Sequence, residues 1–360
     1  MRLKPLGQQV VVVFGASSGI GREAALRFAG HGAKVVVAAR GEKGLASLVG
    51  EIRQSGGEAV AVQAEASDFE QVKRVADVAV ERYGRLDTWV HSAAVALYAP
   101  FEQTTPAEWR RVVDVNLNGQ AYGAWAALPH LRREGRGALI HISSVEALRA
   151  LPLHSAYAAS KHGIKAFTEA LRVELQHDRA QVSVTNIMPA SINTPLFNKA
   201  RTKIGYKPMG LPPIYTPAIV AKAILHAAQN PVREMICGGS GWMIKTGEQL
   251  APHLMDKVLR HAGFEWQRTN EPKSENEPDN LFHPVEGDDR VSGDFTYQTM
   301  PKSIWTWWER HPSAGNLIAG AALGALALTA ARRFGSADGG SRARSSADSR
   351  AAAASSTAGG

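Results

Sequence analysis

The stretch QVVVVFGASSGIGREAALRFAGHGA, residues 9–33, decides the fold. Its opening run of apolar, β-branched residues predicts a buried strand, and the apolar residues of positions 19–31 recur at helical spacing. The glycines Gly15, Gly19 and Gly21 occupy the turn between these two segments. A turn without side chains lets the backbone approach a pyrophosphate, which the amino end of a helix attracts. The stretch therefore predicts a nucleotide-binding turn, although three glycines can also form an ordinary tight turn.

Short β-branched runs alternate with longer segments of helical period as far as about residue 262. The predicted strands are QVVVVF, AKVVVAA, EAVAVQ, LDTWVH, GALIHIS, QVSVTNI and EMICGG. The predicted helices between them are 19–31, 42–54, 68–83, 106–133, 155–177 and 216–229. Such alternation implies parallel βαβ units, and continuous hydrophobicity within the strands implies that both faces of the sheet are covered. We therefore expect an α/β, Rossmann-type doubly wound parallel sheet of about seven strands, with ligands beyond the carboxyl ends of the strands where strand order reverses.

The composition fits a soluble domain with an additional segment. The chain has 360 residues, 44% of them hydrophobic, and its single cysteine, Cys237, excludes an internal disulfide and a cysteine-built metal site. The net charge of +8 is divided equally between residues 301–360 and the rest, and neither part has a basic run interleaved with aromatic residues. We therefore expect no nucleic-acid partner and no metal. The amino terminus lacks the long apolar core of a signal peptide, so we expect a cytoplasmic, non-secreted catalytic domain.

The end of the second predicted strand indicates which dinucleotide binds. An NAD site usually offers a carboxylate there to the ribose hydroxyls, whereas an arginine accommodates the 2′-phosphate of NADP. Arg40 ends the run VVVAAR at this position, and Arg22 can add to the positive charge. Arg40 can also be a plain surface residue, and Glu42 close by keeps NAD possible. The sequence nevertheless favours NADP over NAD.

The stretch HISSVEALRALPLHSAYAASK, residues 141–161, places Tyr157 four residues before Lys161. On a helix this spacing puts both side chains on one face. A lysine ammonium within about 4 to 6 Å of a tyrosine hydroxyl favours the phenolate and lowers its pKa by about 1 to 3 units. We therefore expect Tyr157 to give a proton to a carbonyl oxygen or to take one from an alcohol. By itself such a pair also arises by chance, with the tyrosine in the core and the lysine solvated.

Four motifs in order make the combination specific. GASSGIG at the first turn, Asn116 in DVNLNG on the fourth predicted helix, Ser144 at the end of the fifth strand and YAASK resemble the short-chain dehydrogenase/reductase family over about residues 8–240. The resemblance implies an NAD(P)-dependent oxidoreductase and a homo-oligomer. It makes Tyr157 the catalytic acid or base, which Lys161 assists by lowering its pKa and by binding the nicotinamide ribose.

The resemblance also assigns the remaining site residues. Ser144 would hydrogen-bond the substrate oxygen, and Asn116 would hold a water that links Lys161 to solvent; alternatively, Ser144 caps a strand end and Asn116 bonds to backbone. The cofactor-binding residues would be Gly15, Ser17, Ser18, Gly19, Ile20, Gly21, Arg40, Glu65, Ala66, Tyr157, Lys161, Ile192 and Thr194. The positions that depart from the family's pattern are Phe14, His91–Ala94, Glu65 and Ala190. Each alters cofactor packing or sheet bracing, and none removes a proton-transfer group.

The residues expected around the reactive atom are mostly apolar. They are Val145, Glu146, Leu148, Leu151, Leu153, His154, Ala190 and Phe197. We therefore predict a lipophilic alcohol or carbonyl substrate, covered by a loop of residues 195–215. Glu146 and His154 either face this pocket or lie exposed in a loop. The alternative function is a catalytically weak or inactive cofactor-binding protein that acts as a membrane-tethered sensor or scaffold.

The chain changes character beyond residues 1–262, the predicted catalytic domain. Residues 263–303 are predicted to be an acidic linker or a loosely docked segment, because positions 270–294 carry eight acidic residues and few apolar ones. Residues 304–334 are a candidate membrane-associated helix, with 18 uncharged residues at 314–331 between a tryptophan cluster and two arginines. Its alternatives are a helix docked on the core or an oligomer contact, and the arginines that follow oppose a spanning topology. Residues 335–360 are predicted to be a disordered tail.

Overall fold

A parallel sheet of seven strands forms the centre of the fold, as predicted. The strands are β1 Val10–Phe14, β2 Lys34–Ala39, β3 Glu58–Gln63, β4 Thr88–His91, β5 Gly137–Ile142, β6 Val182–Pro189 and β7 Glu234–Cys237. Their order is β7-β6-β5-β4-β1-β2-β3, and every neighbouring pair is parallel. Strand order therefore reverses between β1 and β4, which opens a crevice beyond their carboxyl ends.

Helices cover both faces of the sheet, which is why β1, β5 and β6 are buried at every position. The helices are α1 Gly19–Gly30, α2 Glu42–Gln54, α3 Phe69–Tyr83, α4 Pro106–Val113, α5 Gly119–Arg133, α6 Ser155–His177, α7 Leu196–Lys199, α8 Pro217–Ala227, α9 Gly239–Leu250, α10 Pro252–Ala262 and α11 Ile304–Arg310. One apolar cluster joins α1, α2 and α8 to the sheet, and another joins α3, α5 and α6 to the opposite face.

The single helix predicted over 106–133 is interrupted by a π-helical turn at Asp114–Asn118. A capping box of Thr105 and Glu108 begins α4, and α5 resumes at Gly119. The wider turn directs the side chain of Asn116 inward, where it bonds to the backbone of Val95. Such turns are frequent at functional sites, because they reorient one residue without ending the helix. Helical periodicity does not reveal them.

The structure describes residues 1–311, 313 and 315, and it is a computed structural model. The chain divides into two units, Met1–Glu309 and Arg310–Gly360, and the account below concerns the first. Among the described residues, no helix has both the length and the apolar character needed to cross a bilayer. The predicted span at 314–331, apart from Gly315, and the predicted tail at 335–360 lie outside the described residues.

The acidic residues beyond α10 are docked on the sheet domain rather than free. Short strands pair Arg268–Pro272 with Tyr206–Pro208 and Thr299–Met300 with Ile214–Tyr215. We call residues 279–295 the strap. Its apolar side chains Leu281 and Phe295 are buried near its two ends, and Asp279 and Asp294 pair with Arg201 and Lys207. These contacts agree with the docked alternative, and the assignment of residues 263–303 as a separate segment stays a prediction.

Helix α11 also belongs to the first unit up to Glu309. The amide of Gly238 donates to the Thr306 hydroxyl at 3.0 Å, and the Trp305 ring stacks on Trp242 with 5.2 Å between the centroids. The beginning of the segment predicted to associate with a membrane therefore packs against the end of β7 and against α9. The short strands Leu97–Tyr98 and Arg201–Thr202 pair with each other beside the substrate loop.

Candidate active site

A cavity of about 500 Å³ runs from the glycine-rich turn to the amino end of α6, at the carboxyl edge of the sheet. The predicted site residues that line it are Gly15, Ser17, Ser18, Gly19, Ile20, Arg40, Glu65, Ala66, Ser144, Tyr157, Lys161, Ile192 and Thr194. The two predicted residues that do not line it are Gly21 and Asn116. Both lie behind the cavity wall, where Gly21 permits the turn and Asn116 braces a loop.

The glycine-rich turn has a geometry that only glycine allows. Gly15 has a φ of 86°, and a Cβ atom there would lie 2.4 Å from the Ala93 nitrogen. A Cβ atom on Gly21 would lie 2.2 Å from the Gly15 carbonyl oxygen. The backbone is therefore packed too closely for side chains, and α1 begins at Gly19 with its amino end towards the cavity. These features fit a dinucleotide whose pyrophosphate lies at that helix end.

Two of the departures from the family's pattern pack against each other. The Phe14 ring at the end of β1 stacks on the His91 ring at the end of β4, with centroids 4.9 Å apart and planes within 11°. Trp89 Nε1 contacts His91 Nδ1 at 3.5 Å, and burial holds the pKa of His91 well below its usual value. A neutral aromatic stack therefore braces the two strands that flank the crevice.

Helix α6 brings Tyr157 and Lys161 to the cavity on the same face, as the spacing predicts. Lys161 Nζ lies 5.2 Å from the centre of the Tyr157 ring and donates to the Ile142 carbonyl at 3.1 Å. The lysine is almost completely buried. Burial lowers its pKa to about 7, although the negative charge of Glu146 opposes the shift. The ammonium is thus held at the carboxyl end of β5, with a pKa close to neutral pH.

The net shift of the Tyr157 pKa is upward in this structure, and the lowering expected from Lys161 stays a prediction. Burial raises the pKa of Tyr157 well above its usual value, and the charge of Glu146 raises it further; a hydrogen bond with Ser144 acts in the opposite direction. Desolvation penalises the phenolate more than any nearby group stabilises it. The Tyr-x-x-x-Lys spacing shows neither the burial nor the carboxylate. Tyr157 is consequently a protonated donor at neutral pH.

Ser144 and Asn116 show the alternative contacts considered for them. The Ser144 hydroxyl accepts from the Glu146 amide at 3.1 Å and caps the short helical turn Val145–Ala147, while its side chain also reaches Tyr157. The Asn116 side chain accepts from the Val95 amide at 2.8 Å and donates to the Val95 carbonyl at 2.9 Å. The side-chain amide of Asn116 is therefore occupied by backbone. Its link to Lys161 through water stays a prediction.

Glu146 and His154 lie buried beside the reactive tyrosine rather than exposed. His154 Nδ1 and Glu146 Oε1 are 2.9 Å apart, and both side chains line the cavity. The His154 ring lies 3.9 Å from the Tyr98 ring and 5.3 Å from the Tyr157 ring, measured between centroids. Burial, with the charges of Glu146 and Tyr157, raises the pKa of Tyr98 well above its usual value. Two protonated tyrosines thus flank one acid–histidine pair.

Many of the remaining residues of the cavity wall are apolar. Of the predicted pocket residues, Leu148 and Leu153 do not line it. The lining residues that sequence reasoning missed include Tyr98, Ile244, Met255, Val258, Leu259 and Trp266, while Met209 and Leu211 belong to the predicted loop of residues 195–215. Several come from α10, where apolar residues at positions 254, 255, 258 and 259 have helical spacing and could have signalled one exposed apolar face. No local pattern marks the others as pocket residues.

Arg40 lies in the cavity wall with its charge partly engaged. Its guanidinium donates to the Asn280 carbonyl at 2.6 Å and lies 3.6 Å from Glu65 Oε2. Arg111 holds the same carboxylate at 2.6 Å and also donates to the Leu281 carbonyl at 2.7 Å. The strap therefore contacts both arginines through its backbone. None of these contacts is predictable from the sequence around Arg40.

Comparison with known proteins agrees with this geometry. The family model described as short chain dehydrogenase matches residues 9–205. The uncharacterized oxidoreductase YxnA of Bacillus subtilis is 37% identical over 284 residues, which cover 78% of this chain and 80% of YxnA. The 3beta-hydroxysteroid dehydrogenase 1 of Eggerthella lenta is 38% identical over 190 residues, which cover 52% of this chain and 72% of that protein. A match over more than half of the chain shows that the protein belongs to the short chain dehydrogenase family of oxidoreductases.

Proposed function

We propose that this protein transfers a hydride between a nicotinamide dinucleotide, preferably NADPH, and a lipophilic alcohol or carbonyl compound. One observation carries the proposal: a continuous cavity joins the glycine-rich turn, the proton-transfer residues and an apolar compartment. Such a cavity can hold a cofactor and an apolar substrate side by side. The alternative of an inactive sensor has no observation in its favour, because Ser144, Tyr157 and Lys161 are all directed to the same cavity.

The proposed chemistry follows from the proton states of the site. When bound, the nicotinamide supplies the hydride in reduction or accepts it in oxidation. Tyr157, protonated at neutral pH, donates its proton to the carbonyl oxygen of the substrate, and the Ser144 hydroxyl hydrogen-bonds the same oxygen. Lys161, within reach of the tyrosine ring, binds the nicotinamide ribose and supplies positive charge as the proton leaves. The apolar wall excludes water from the reacting atoms.

Replacement of Tyr157 by Phe tests the proton donor. The ring and its contacts with His154 and Lys161 are kept, while the transferable proton is lost. We expect turnover to fall by roughly 100-fold to 10,000-fold, with NADPH binding changed by no more than about three-fold. Fluorescence titration with NADPH and steady-state assays measure the two quantities. A Phe variant with more than about a tenth of the wild-type turnover would exclude Tyr157 as the acid.

Arg40 supports the preference for NADPH. It lines the cavity at the end of β2, and Glu65 is shared with Arg111, so the local charge remains positive. Glu286 of the strap opposes this preference, because its negative carboxylate lies beside Gly41, the residue that follows Arg40. Its Oε1 is 3.2 Å from the position that a Cβ atom on Gly41 would take. Arg40→Asp should therefore move the preference towards NADH, whereas Glu286→Gln should strengthen NADPH binding relative to NADH. The dissociation constants of NADPH and NADH, measured for the wild type and both variants, test these two expectations. A wild type that prefers NADH contradicts the proposal.

The apolar compartment supports a lipophilic substrate. Met255 and Val258 of α10 face the cavity together with Trp266 and Met209. Two relatives are named 3beta-hydroxysteroid dehydrogenases, which agrees with a bulky, apolar secondary alcohol or its ketone as substrate. A carbonyl series of rising apolar area should show rising kcat/KM, because apolar burial contributes about 25 cal/mol per Å². Equal kcat/KM for small polar and large apolar carbonyls would argue against this substrate class.

Two associations complete the proposal. We propose homo-oligomer formation, supported by the exposed Trp125 on α5 and Val173 on α6, which are large apolar side chains on adjacent helices. We also propose membrane association through residues 304–334. The exposed side chains of Ile304, Trp305 and Trp307 are the described part of that segment which supports it. Light scattering of the purified protein and the fractionation described in the Discussion test these two associations.

A further inference from the structure

Lys199 is a buried cation in the cavity wall that has no ion-pair partner within 4.0 Å among the described residues. It is the last residue of α7, lines the cavity and is 8% exposed. Its Nζ contacts the Ser18 hydroxyl of the glycine-rich turn at 3.5 Å. Within the described part of the chain, no carboxylate approaches this ammonium to the 4.0 Å of an ion pair. The nearby acidic residues Asp288 and Asp289 act on it only at longer range.

The position of this ammonium is unfavourable unless an anion joins it. A buried charge without a partner is unfavourable, because it has lost its solvation by water. The amino end of α1, where Ser18 precedes the first helical residue, carries the positive end of the helix dipole and repels a cation. Burial lowers the pKa of Lys199, while the charges of Asp288, Asp289 and Glu286 oppose that shift. Two positive features thus face each other across the turn.

A neighbouring lysine, Lys273, has a structural role beside the loop that carries Lys199. Lys273 is similarly buried, but its Nζ donates to the Asn198 carbonyl at 2.6 Å and to the Ala200 carbonyl at 3.0 Å. Its charge is satisfied by backbone oxygens, and it needs no ligand. Lys199 has only the weak contact with Ser18. Lys273 therefore holds the loop together, whereas the Nζ donors of Lys199 are left for a ligand.

The strap holds Lys199 against the turn. The Asn280 amide donates to the Lys199 carbonyl at 2.8 Å, and the Gly19 amide donates to the Arg290 carbonyl at 3.0 Å. The strap also binds the loop before α7, since the Phe295 amide donates to Asn193 Oδ1 at 3.1 Å. One segment therefore joins the lysine, the substrate loop and the glycine-rich turn. The ammonium is fixed by contacts from residues far away in sequence.

We propose that Lys199 binds the pyrophosphate of the dinucleotide, and that the strap positions it for this purpose. The pyrophosphate would then lie between the positive end of the α1 dipole, where the Gly19 amide is bonded to the Arg290 carbonyl, and the Lys199 ammonium, which would gain an anionic partner. The inference deepens the proposed function and rests on it, because it concerns the same cofactor site. It names a binding residue outside the glycine-rich turn, carried by the substrate loop.

Binding of nucleotide fragments tests the proposal without turnover. NADH and NADPH are titrated by fluorescence, and ADP, inorganic pyrophosphate and adenosine are titrated as competitors. Lys199→Met keeps the aliphatic stem and removes the charge. We expect it to weaken NADH, NADPH and ADP by roughly 10-fold to 100-fold and to leave adenosine unchanged. Lys199→Arg should restore part of the affinity, and Lys222→Met, an exposed lysine on α8, should change nothing.

The possible outcomes separate this inference from the proposed function. Equal ADP affinity in wild type and Lys199→Met overturns the role of Lys199, whatever the enzyme's activity. An equal loss for adenosine and ADP also overturns it, because the effect is then structural. If the wild type binds ADP through Lys199 but reduces no carbonyl, the inference stands and the proposed function fails. A wild type that binds none of these nucleotides overturns both.

Discussion

Leu281 is the side chain by which the strap can be released from the cofactor cleft. It is 0% exposed and belongs to the apolar cluster beneath α3, α5 and α6. Replacing a buried leucine by alanine removes about 2 to 5 kcal/mol of stability, and the strap is held otherwise by hydrogen bonds and by Phe295. If about 3 kcal/mol is lost from strap docking alone, the open population of the strap rises about 150-fold. Leu281→Ala should therefore loosen the strap while the sheet stays folded.

Native-state hydrogen exchange measures this opening. Three strap-dependent amides report on it: Gly19, bonded to the Arg290 carbonyl; Gly293, bonded to the Asn193 carbonyl; and Phe295, bonded to Asn193 Oδ1. Their exchange should accelerate by about the same 150-fold, whereas amides of β1 and β5 keep their wild-type rates. Leu254→Ala is the matched control, because Leu254 on α10 is 60% exposed. NADH should also dissociate faster from Leu281→Ala, since the strap crosses its site.

Two results would refute this reasoning. If the strap amides exchange equally fast in wild type, Leu254→Ala and Leu281→Ala, then the strap is not docked through Leu281. If strap and sheet amides accelerate by the same factor, Leu281 is an ordinary core residue, and the strap does not open independently. In either case the docked description of residues 279–295 as a separate covering element is wrong.

Two further predictions concern the proton donor and the carboxyl-terminal segment. Glu146→Gln removes the negative charge that raises the pKa of Tyr157, and carbonyl reduction is lost as pH rises through that pKa, so the alkaline fall in kcat/KM should move to lower pH. The control Glu102→Gln, which changes an exposed residue, should leave the pH profile unchanged. An unchanged profile for Glu146→Gln as well would exclude the electrostatic effect of Glu146 on Tyr157. Truncation after residue 311 keeps α11 and its Thr306 contact, so full-length protein should sediment with membranes through a carbonate wash while the truncated protein stays folded and soluble; full-length protein that stays in the supernatant would end the membrane proposal.

Local patterns specified the sheet and the spacing of Tyr157 and Lys161. Strand and helix follow from residue periodicity, which each segment carries by itself, and all seven strands were predicted. The glycines of the first turn predicted its close packing, because a side chain at Gly15 or Gly21 meets backbone. Tyr157 and Lys161 share a face of α6 because four residues make about one helical turn. These features depend on neighbours in sequence, so the sequence is sufficient for them.

The electrostatic character of the site depends on neighbours in space. Burial and Glu146 set the pKa of Tyr157, and neither effect is visible in the Tyr-x-x-x-Lys spacing. The π-helical turn likewise places Asn116 against the backbone of Val95, 21 residues away in sequence.

The position of the strap also depends on residues that are distant in sequence. Its acidic composition predicted a linker or a loosely docked segment, and composition does not reveal that Leu281 and Phe295 are buried or that its backbone reaches Arg40, 240 residues away. The place of Lys199 beside the glycine-rich turn depends on Ser18, 181 residues earlier, and on the strap that holds it. Periodicity and composition record what a segment can form by itself. Desolvation, charge coupling and long-range hydrogen bonds arise only when distant segments meet, so the tertiary structure alone decided them.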